Sequence, residues 1–241
     1  MSPPGKLRVV LGDQISDDRL SSLRDLSGDD LVLLAEVRDE ATYVRHHKQK
    51  IALVFAGMRA MASRLHERGI PVRYVRIDDP ANTHGICSEI ARTLTLHQPS
   101  EIVITEPGEW RLKEQIAAFS KTSTIPVTCR EDNRFVCSHQ TFARWAEGRS
   151  QLRMELFYRM MRERTGLLMD GDGPVGGRWN FDSENRKRLP KTIQPPSHVF
   201  IPPDENTRAV MLDVERLFPD HFGTLEGFAY PTTSEAAERV V

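Results

Sequence analysis

The sequence has little cysteine: Cys87, Cys129 and Cys137 are the only three among 241 residues. No two of them form a CxxC pair, and an odd, sparse set of thiols is typical of a reducing compartment. Three cysteines are also too few for a [4Fe–4S] cluster that is held by cysteines alone. We therefore expect small thiols with a packing role.

Long apolar runs are also missing. No stretch reaches the roughly 20 apolar residues that a membrane helix needs, and Met1–Lys6 has no apolar signal-peptide core. We expect no membrane partner and a cytoplasmic location. The formal net charge is −1, so no overall charge draws the chain to nucleic acid, and any basic surface must be local.

Glycine-rich phosphate loops are absent. The first apolar run, residues 7–11, is followed by Gly12, Asp13 and Gln14, but the further glycines of a dinucleotide fingerprint do not follow. No P-loop sequence occurs anywhere. The site is therefore not a typical dinucleotide or triphosphate cradle. Gly12 still permits a tight turn with close backbone approach, and Asp13 can accept hydrogen bonds from a ligand.

Apolar runs alternate with helical patterns over the first 135 residues. The runs predict five strands, at residues 7–11, 31–35, 72–77, 101–105 and 127–130. Strands that alternate with helices indicate a doubly wound, mostly parallel sheet, so the fold class is α/β and Rossmann-like. We expect an α/β domain at 1–135, helices with a long loop and linker at 136–203, and the truncated start of a helical region at 204–241.

Polar residues gather where the predicted strands end. Right-handed crossovers place Asp13, Glu40 and the turn 106–111 along one rim of the sheet, where ligands bind in such folds. Residues 36–50 carry acids, an aromatic and a basic cluster, and Val54 belongs to the apolar face of the helix that follows. A charged loop before an ordinary helix is the alternative interpretation.

The long segment 170–190 combines glycines, aromatics, amides and bases without a helical or strand period. Its aromatic residues argue against disorder. Basic residues that alternate with aromatics can contact phosphates and stack on bases, which makes Arg178, Trp179 and Arg186 candidates for a nucleic-acid contact. Before this segment, one short helix is predicted around Phe142 and Trp145, and a second is marked by Leu152, Leu156, Phe157, Met160 and Met161. The arginines of the second helix, Arg153, Arg159, Arg162 and Arg164, are interpreted as a solvated face with ion pairs to Glu155 and Glu163.

Several motifs occur in a familiar order: Leu11-Gly12-Asp13-Gln14, the stretches 40–52 and 106–111, the segment 154–159, and the loop 176–186. With these motifs the chain resembles the photolyase-related family of iron–sulfur bacterial cryptochromes and prokaryotic (6-4) photolyases. The resemblance covers essentially the whole chain but only the N-terminal half of that family.

The resemblance implies an α/β antenna domain that binds 6,7-dimethyl-8-ribityllumazine and passes excitation to a flavin. Carried over by motif, Asp13 and Gln14, with Gly12 beside them, would face the lumazine. Glu40 would hydrogen-bond the lumazine and Val54 would line the apolar side of its ring. The further candidates for this site are Tyr43 and His46. The family's FAD and four-cysteine [4Fe–4S] cluster belong to a C-terminal helical domain that is missing here.

For the loop 176–185 the resemblance implies a place between the two domains, near the flavin and damaged DNA. Arg178 and Arg186 would then touch phosphates, and Asp182 would help hold a magnesium ion. The full protein would split (6-4) pyrimidine photoproducts with an electron from reduced flavin, and this chain alone would be inactive. Two alternatives stay open: a stand-alone nucleotide- or RNA-binding α/β module, and a light-signalling receptor without repair.

Overall fold

The structure, a computed structural model, describes residues 5–16, 20–194, 196–197 and 199–240. The chain divides into two compact units, one made of residues 1–134 and 199–241 and the other of residues 135–198. Residues 199–241 group with the sheet in the first unit. Met1–Pro4, part of the segment examined for a signal peptide, lie outside the described residues.

A five-stranded parallel sheet forms the centre of the first unit, which confirms the predicted fold class. Its strands are β1 (Leu7–Val9), β2 (Leu31–Ala35), β3 (Val72–Val75), β4 (Ile102–Thr105) and β5 (Val127–Arg130). The strand order is β3-β2-β1-β4-β5, and each neighbouring pair is parallel. The chain runs outward from β1 in one direction and then resumes on its other side at β4. The topological switch point, where such sheets bind ligands, therefore lies at the carboxyl end of β1.

Helices cover both faces of this sheet. In chain order, the helices of the described residues are α1 (Arg38–Thr42), α2 (Lys48–Glu67), α3 (Ile86–Leu96), α4 (Trp110–Thr122), α5 (His139–Ala146), α6 (Met154–Thr165), α7 (Asp182–Asn185), α8 (Glu205–Leu217) and α9 (Ser234–Glu238). Of these, α5, α6 and α7 belong to the second unit and the others to the first. Residues of α2 and α8 share one apolar core, and residues of α3 and α4 share the other. The inner strands β2 and β4 are almost entirely apolar because both faces of a parallel sheet are covered. No helix among the described residues is both long and apolar enough to cross a membrane.

A buried network of charges joins β2, α2 and α8. Glu36 directly follows β2, is fully buried, and accepts hydrogen bonds from Arg59 Nε at 2.6 Å and from Tyr74 Oη at 2.6 Å. Arg59 lies on α2 and also donates from Nη2 to Asp213 of α8 at 2.8 Å. Burial and the neighbouring Glu36 carboxylate raise the pKa of Tyr74 well above its usual value. The network explains why α8 groups with the sheet.

Asp213→Asn tests this attachment. The change removes the carboxylate that Arg59 and Arg76 share, at 2.8 Å each. Leaving the buried guanidinium of Arg59 without this charged partner lowers the free energy of unfolding by about 1–3 kcal/mol, as urea denaturation would measure. Glu215→Gln is the matched control on the same helix, because the Glu215 side chain is 49% exposed and its pair with Lys48 contributes at most about 1 kcal/mol. Equal losses in both variants would contradict the proposed role of Asp213.

The second unit is small and rich in aromatic contacts. Phe142 and Trp145 of α5 contact Phe157 of α6, with ring centroids 5.3 Å and 5.0 Å apart, respectively. Helix α6 ends where Gly166 adopts a left-handed conformation with φ of 71°, which glycine accepts without steric cost. A two-stranded hairpin follows, formed by β6 (Met169–Asp170) and β7 (Gly173–Pro174). The two predicted helices of this region are therefore present.

Candidate functional site

A cavity of about 240 Å³ opens at the carboxyl ends of β1, β2 and β4. All of its walls belong to the first unit. Its lining residues are Leu11, Gly12, Asp13, Ala35, Val37, Glu40, Ala41, Tyr43, His46, Lys50, Ile51, Val54, Phe55, Met58, Ile86, Pro107, Gly108, Glu109 and Leu112. The rim predicted from Asp13, Glu40 and the turn after β4 therefore surrounds an open cavity.

One wall of the cavity is apolar and comes from α2. Ile51, Val54, Phe55 and Met58 recur at helical spacing, so one face of the helix presents all four to the cavity. Gly12 allows the chain after β1 to lie against this face. A Cβ atom at Gly12 would sit 3.0 Å from Val54 Cγ1 and 3.3 Å from Met58 Sδ, which is tighter than ordinary contact. The backbone at Gly12 therefore lies close to the side chains of α2.

The mouth of the cavity is acidic. Asp13, Glu40 and Glu109 contribute three carboxylates to its lining, against one ammonium group from Lys50. Arg111, in the first turn of α4, donates from Nη2 to Glu40 Oε2 at 2.8 Å and from Nε to Glu109 Oε1 at 3.0 Å. The hydrogen bond to Glu40 is the main reason why the pKa of Arg111 lies above its ordinary value. The Arg111 guanidinium carbon also lies 4.5 Å from the centroid of the Tyr43 ring.

His46 also lines this mouth. Its Nδ1 lies 3.1 Å from Lys50 Nζ, and because an ammonium can only donate, Nδ1 accepts and the ring proton is assigned to Nε2. Its ring packs edge-on against Tyr43, with centroids 5.1 Å apart. Burial, followed by the charges of Lys50 and His221, lowers the pKa of His46, although the Glu40 carbonyl and the Glu109 carboxylate oppose this shift.

Gln14 does not line the cavity. Its side chain is fully buried, and its Nε2 donates to the carbonyls of Thr105 at 3.1 Å and Glu106 at 3.2 Å. Its Oε1 lies 3.5 Å from Leu11 N. The amide therefore joins the end of β1 to the end of β4, whereas the sequence expectation had directed it toward the ligand beside Asp13. The hydrogen bonds to β4 account for the different orientation.

Trp110 lies in the predicted turn 106–111 and is the first residue of α4. The side chain is 71% exposed and is not part of the cavity lining. Its neighbour Arg111 reaches the mouth of the cavity. From the sequence, Arg111 is only one member of the turn 106–111. The signal for Arg111 was the excess of acids along the rim, because clustered carboxylates favour a nearby cation.

The nucleic-acid candidates all lie in the second unit. The ring of Trp179 is contacted by the guanidinium groups of Arg159, at 5.6 Å, and Arg162, at 5.2 Å from its centroid. Arg162 is only 6% exposed, which corrects its interpretation as part of a solvated helix face, while Arg159 keeps the expected ion pair with Glu155. A cation held against an aromatic face gains stability from the ring's quadrupole.

The other candidates of this unit are exposed. Arg178 stacks on Phe181, with its guanidinium carbon 4.8 Å from the ring centroid, and Arg186 is exposed as well. Asp182 begins α7 with an exposed side chain. Within the described ranges, no group of three or more His, Cys, Asp or Glu side chains could hold a metal ion. Asp182 therefore offers a single carboxylate, and the described residues do not complete a magnesium site around it.

Comparison with known proteins defines the class of this chain. A model of the family described as deoxyribodipyrimidine photo-lyase-related protein matches residues 8–230, and the chain belongs to that family. The chain is 46% identical over 240 residues to a (6-4) photolyase of Agrobacterium fabrum, which covers 98% of this chain and 46% of that protein. It therefore spans about half the length of that curated relative. It is also 24% identical over 160 residues to an uncharacterized protein of Acanthamoeba polyphaga mimivirus, covering 64% of this chain and 79% of that protein.

The pKa of His46 provides a test of the mouth's electrostatics. Because folding lowers this pKa below 6.5, the unfolded chain binds the proton more readily, and His46 makes the folded chain less stable as pH falls from 6.5 toward the lower value. Well above pH 6.5, His46 is neutral in the unfolded chain as well, so its titration does not change the stability of the folded chain.

Lys50→Gln removes a nearby positive charge, so we expect the pKa of His46 to rise in this variant. An NMR titration of the imidazole in both proteins measures the change. Lys121→Gln, at the far end of α4, is the control that also removes one lysine charge. An unchanged titration of His46 in Lys50→Gln would show that the two side chains do not interact in solution.

Proposed function

We propose that the first unit binds a flat, uncharged chromophore of the lumazine class, 6,7-dimethyl-8-ribityllumazine, as the light-harvesting part of a photolyase-type protein. The observation that carries this proposal is the open cavity at the switch point of the sheet, with an apolar wall on α2 and an acidic mouth. Membership of the photolyase-related family supports the same function.

The shape of the cavity suits a small ring system. Ligand pockets commonly measure about 300–1,000 Å³, so a cavity of about 240 Å³ suits a small ring system whose side chain extends outside the cavity. Val54 and Met58 offer a face on which an aromatic ring can lie. The remaining part of the ligand, a ribityl chain, would extend through the mouth toward the polar side chains.

The charges at the mouth of the cavity favour a ligand with hydrogen-bond donors over a ligand that carries negative charge. Asp13, Glu40 and Glu109 can accept hydrogen bonds from hydroxyl or ring N–H groups. Arg111 already pairs with two of these carboxylates, and the chain after β1 lacks the glycine-rich nest that binds phosphates. A polyol chain without a phosphate matches this surface.

The wider proposal concerns the longer protein that relatives of this family form. In it, reduced FAD would supply the electron that splits a (6-4) photoproduct in damaged DNA, and FAD and a [4Fe–4S] cluster would bind outside these 241 residues. The three cysteines of this chain are free thiols and cannot supply four ligands. Arg178 and Arg186 would contact DNA phosphates. Magnesium at Asp182 would need further oxygen ligands from water, phosphate or residues outside this chain.

Val54→Phe tests the position of the ring. The larger side chain fills the apolar part of the cavity, so we expect the affinity for 6,7-dimethyl-8-ribityllumazine to fall by about tenfold or more, the effect of some 1.4 kcal/mol. Fluorescence titration of the ligand measures this change. Val136→Phe is the matched control, because Val136 is 68% exposed and lies in the second unit. Equal affinity of both variants for the lumazine would show that its ring does not bind in this cavity.

A phosphorylated ligand tests the role of the acidic mouth. Adding a phosphate to the end of the ribityl chain introduces about two negative charges at pH 7 without altering the ring. We expect this phosphate ester to bind more weakly than the parent lumazine, with a difference that narrows as added salt screens the carboxylates. Tighter binding of the phosphate ester would instead indicate a nucleotide-like site.

A further inference from the structure

Arg111 occupies a central position among the polar groups at the mouth of the cavity. It follows Trp110 at the start of α4, and its guanidinium reaches Glu40 on α1 as well as Glu109, the residue that precedes α4. It also covers the face of Tyr43, 4.5 Å from the ring centroid. One side chain thus contacts three residues that line the cavity without being part of the lining itself.

The contact with Glu40 engages a single oxygen of the carboxylate. Arg111 Nη2 donates to Oε2 at 2.8 Å, and among the described residues no hydrogen-bond donor is placed on Oε1. The Glu40 side chain lines the cavity and is 29% exposed, so it is not closed off from a ligand at the mouth. A guanidinium is planar and fixes the direction of its hydrogen bonds more strongly than an ammonium does. Arg111 therefore holds Glu40 in one orientation and leaves one acceptor oxygen available.

We propose that Arg111 is a positioning residue for the ligand: it fixes the Glu40 carboxylate so that Oε1 accepts a hydrogen bond from an N–H or O–H group of the bound lumazine. This inference rests on the proposed function. Without the guanidinium, Glu40 and Glu109 would repel each other as like charges, and Glu40 would turn toward water. Arg111 would then act through Glu40 and not through a contact of its own with the ligand.

A double-mutant cycle with Glu40→Gln and Arg111→Gln tests this role. A hydrogen bond to a charged group contributes about 1.5–3 kcal/mol, so we expect each single variant to bind 6,7-dimethyl-8-ribityllumazine about tenfold more weakly than the wild-type chain. If Arg111 acts through Glu40, the double variant binds no more weakly than Glu40→Gln alone. The absorption maximum of the bound lumazine should shift in both single variants, because the negative charge beside the ring is lost in Glu40→Gln and changes orientation in Arg111→Gln.

Two further variants separate positioning from simple charge. Arg111→Lys keeps the positive charge but lacks the planar fork, so we expect it to restore little of the affinity. Lys113→Gln is the matched control on the same helix: it also removes one positive charge, and its partner is Glu106, outside the cavity lining. We expect this variant to bind like the wild-type chain.

The outcomes distinguish the two proposals. If the wild-type chain binds no lumazine, both the proposed function and the positioning role are overturned. If it binds lumazine and Arg111→Gln binds equally well, with an unchanged absorption maximum, only the positioning role is overturned. Independent, additive losses in the double variant would likewise show that Arg111 does not act through Glu40. Circular dichroism and thermal unfolding establish that every variant is folded.

Discussion

The position of α2 depends on Arg59, which is held between Glu36 at the end of β2 and Asp213 on α8. A buried guanidinium must be paired, since removing one partner of such a network is strongly destabilising. Arg59 directly follows Met58, which, with Val54, forms the apolar wall of the cavity. The same ion pairs that anchor α8 therefore also fix the wall against which we place the chromophore.

Much of the fold could be predicted from local patterns. Continuous apolar runs such as residues 31–35 identify strands that are buried on both faces, and their alternation with helices leaves few arrangements other than a parallel sheet. The rim followed from the same reasoning, because the ends of parallel strands meet at one edge. Asp13, Glu40 and Val54 line the cavity there.

Residues whose roles depend on distant partners could not be predicted in this way. Gln14 neighbours Asp13 in sequence, but the carbonyls at the end of β4 bind its amide and turn it inward. Arg111 donates a hydrogen bond to Glu40, which lies 71 positions earlier in the chain. Trp179 was a candidate for base stacking, yet Arg162 lies against its ring. Residues 204–241 carried no local sign that α8 would share a core with α2.

A crystal structure of the chain grown with 6,7-dimethyl-8-ribityllumazine is the most direct test of the chromophore pocket. We expect the ring to lie against Val54, with Glu40 within hydrogen-bonding distance and the ribityl chain leading out past Asp13. Ligand density elsewhere on the first unit, or a cavity that the chain's own side chains fill while the ligand stays in solution, would contradict the assignment of this site.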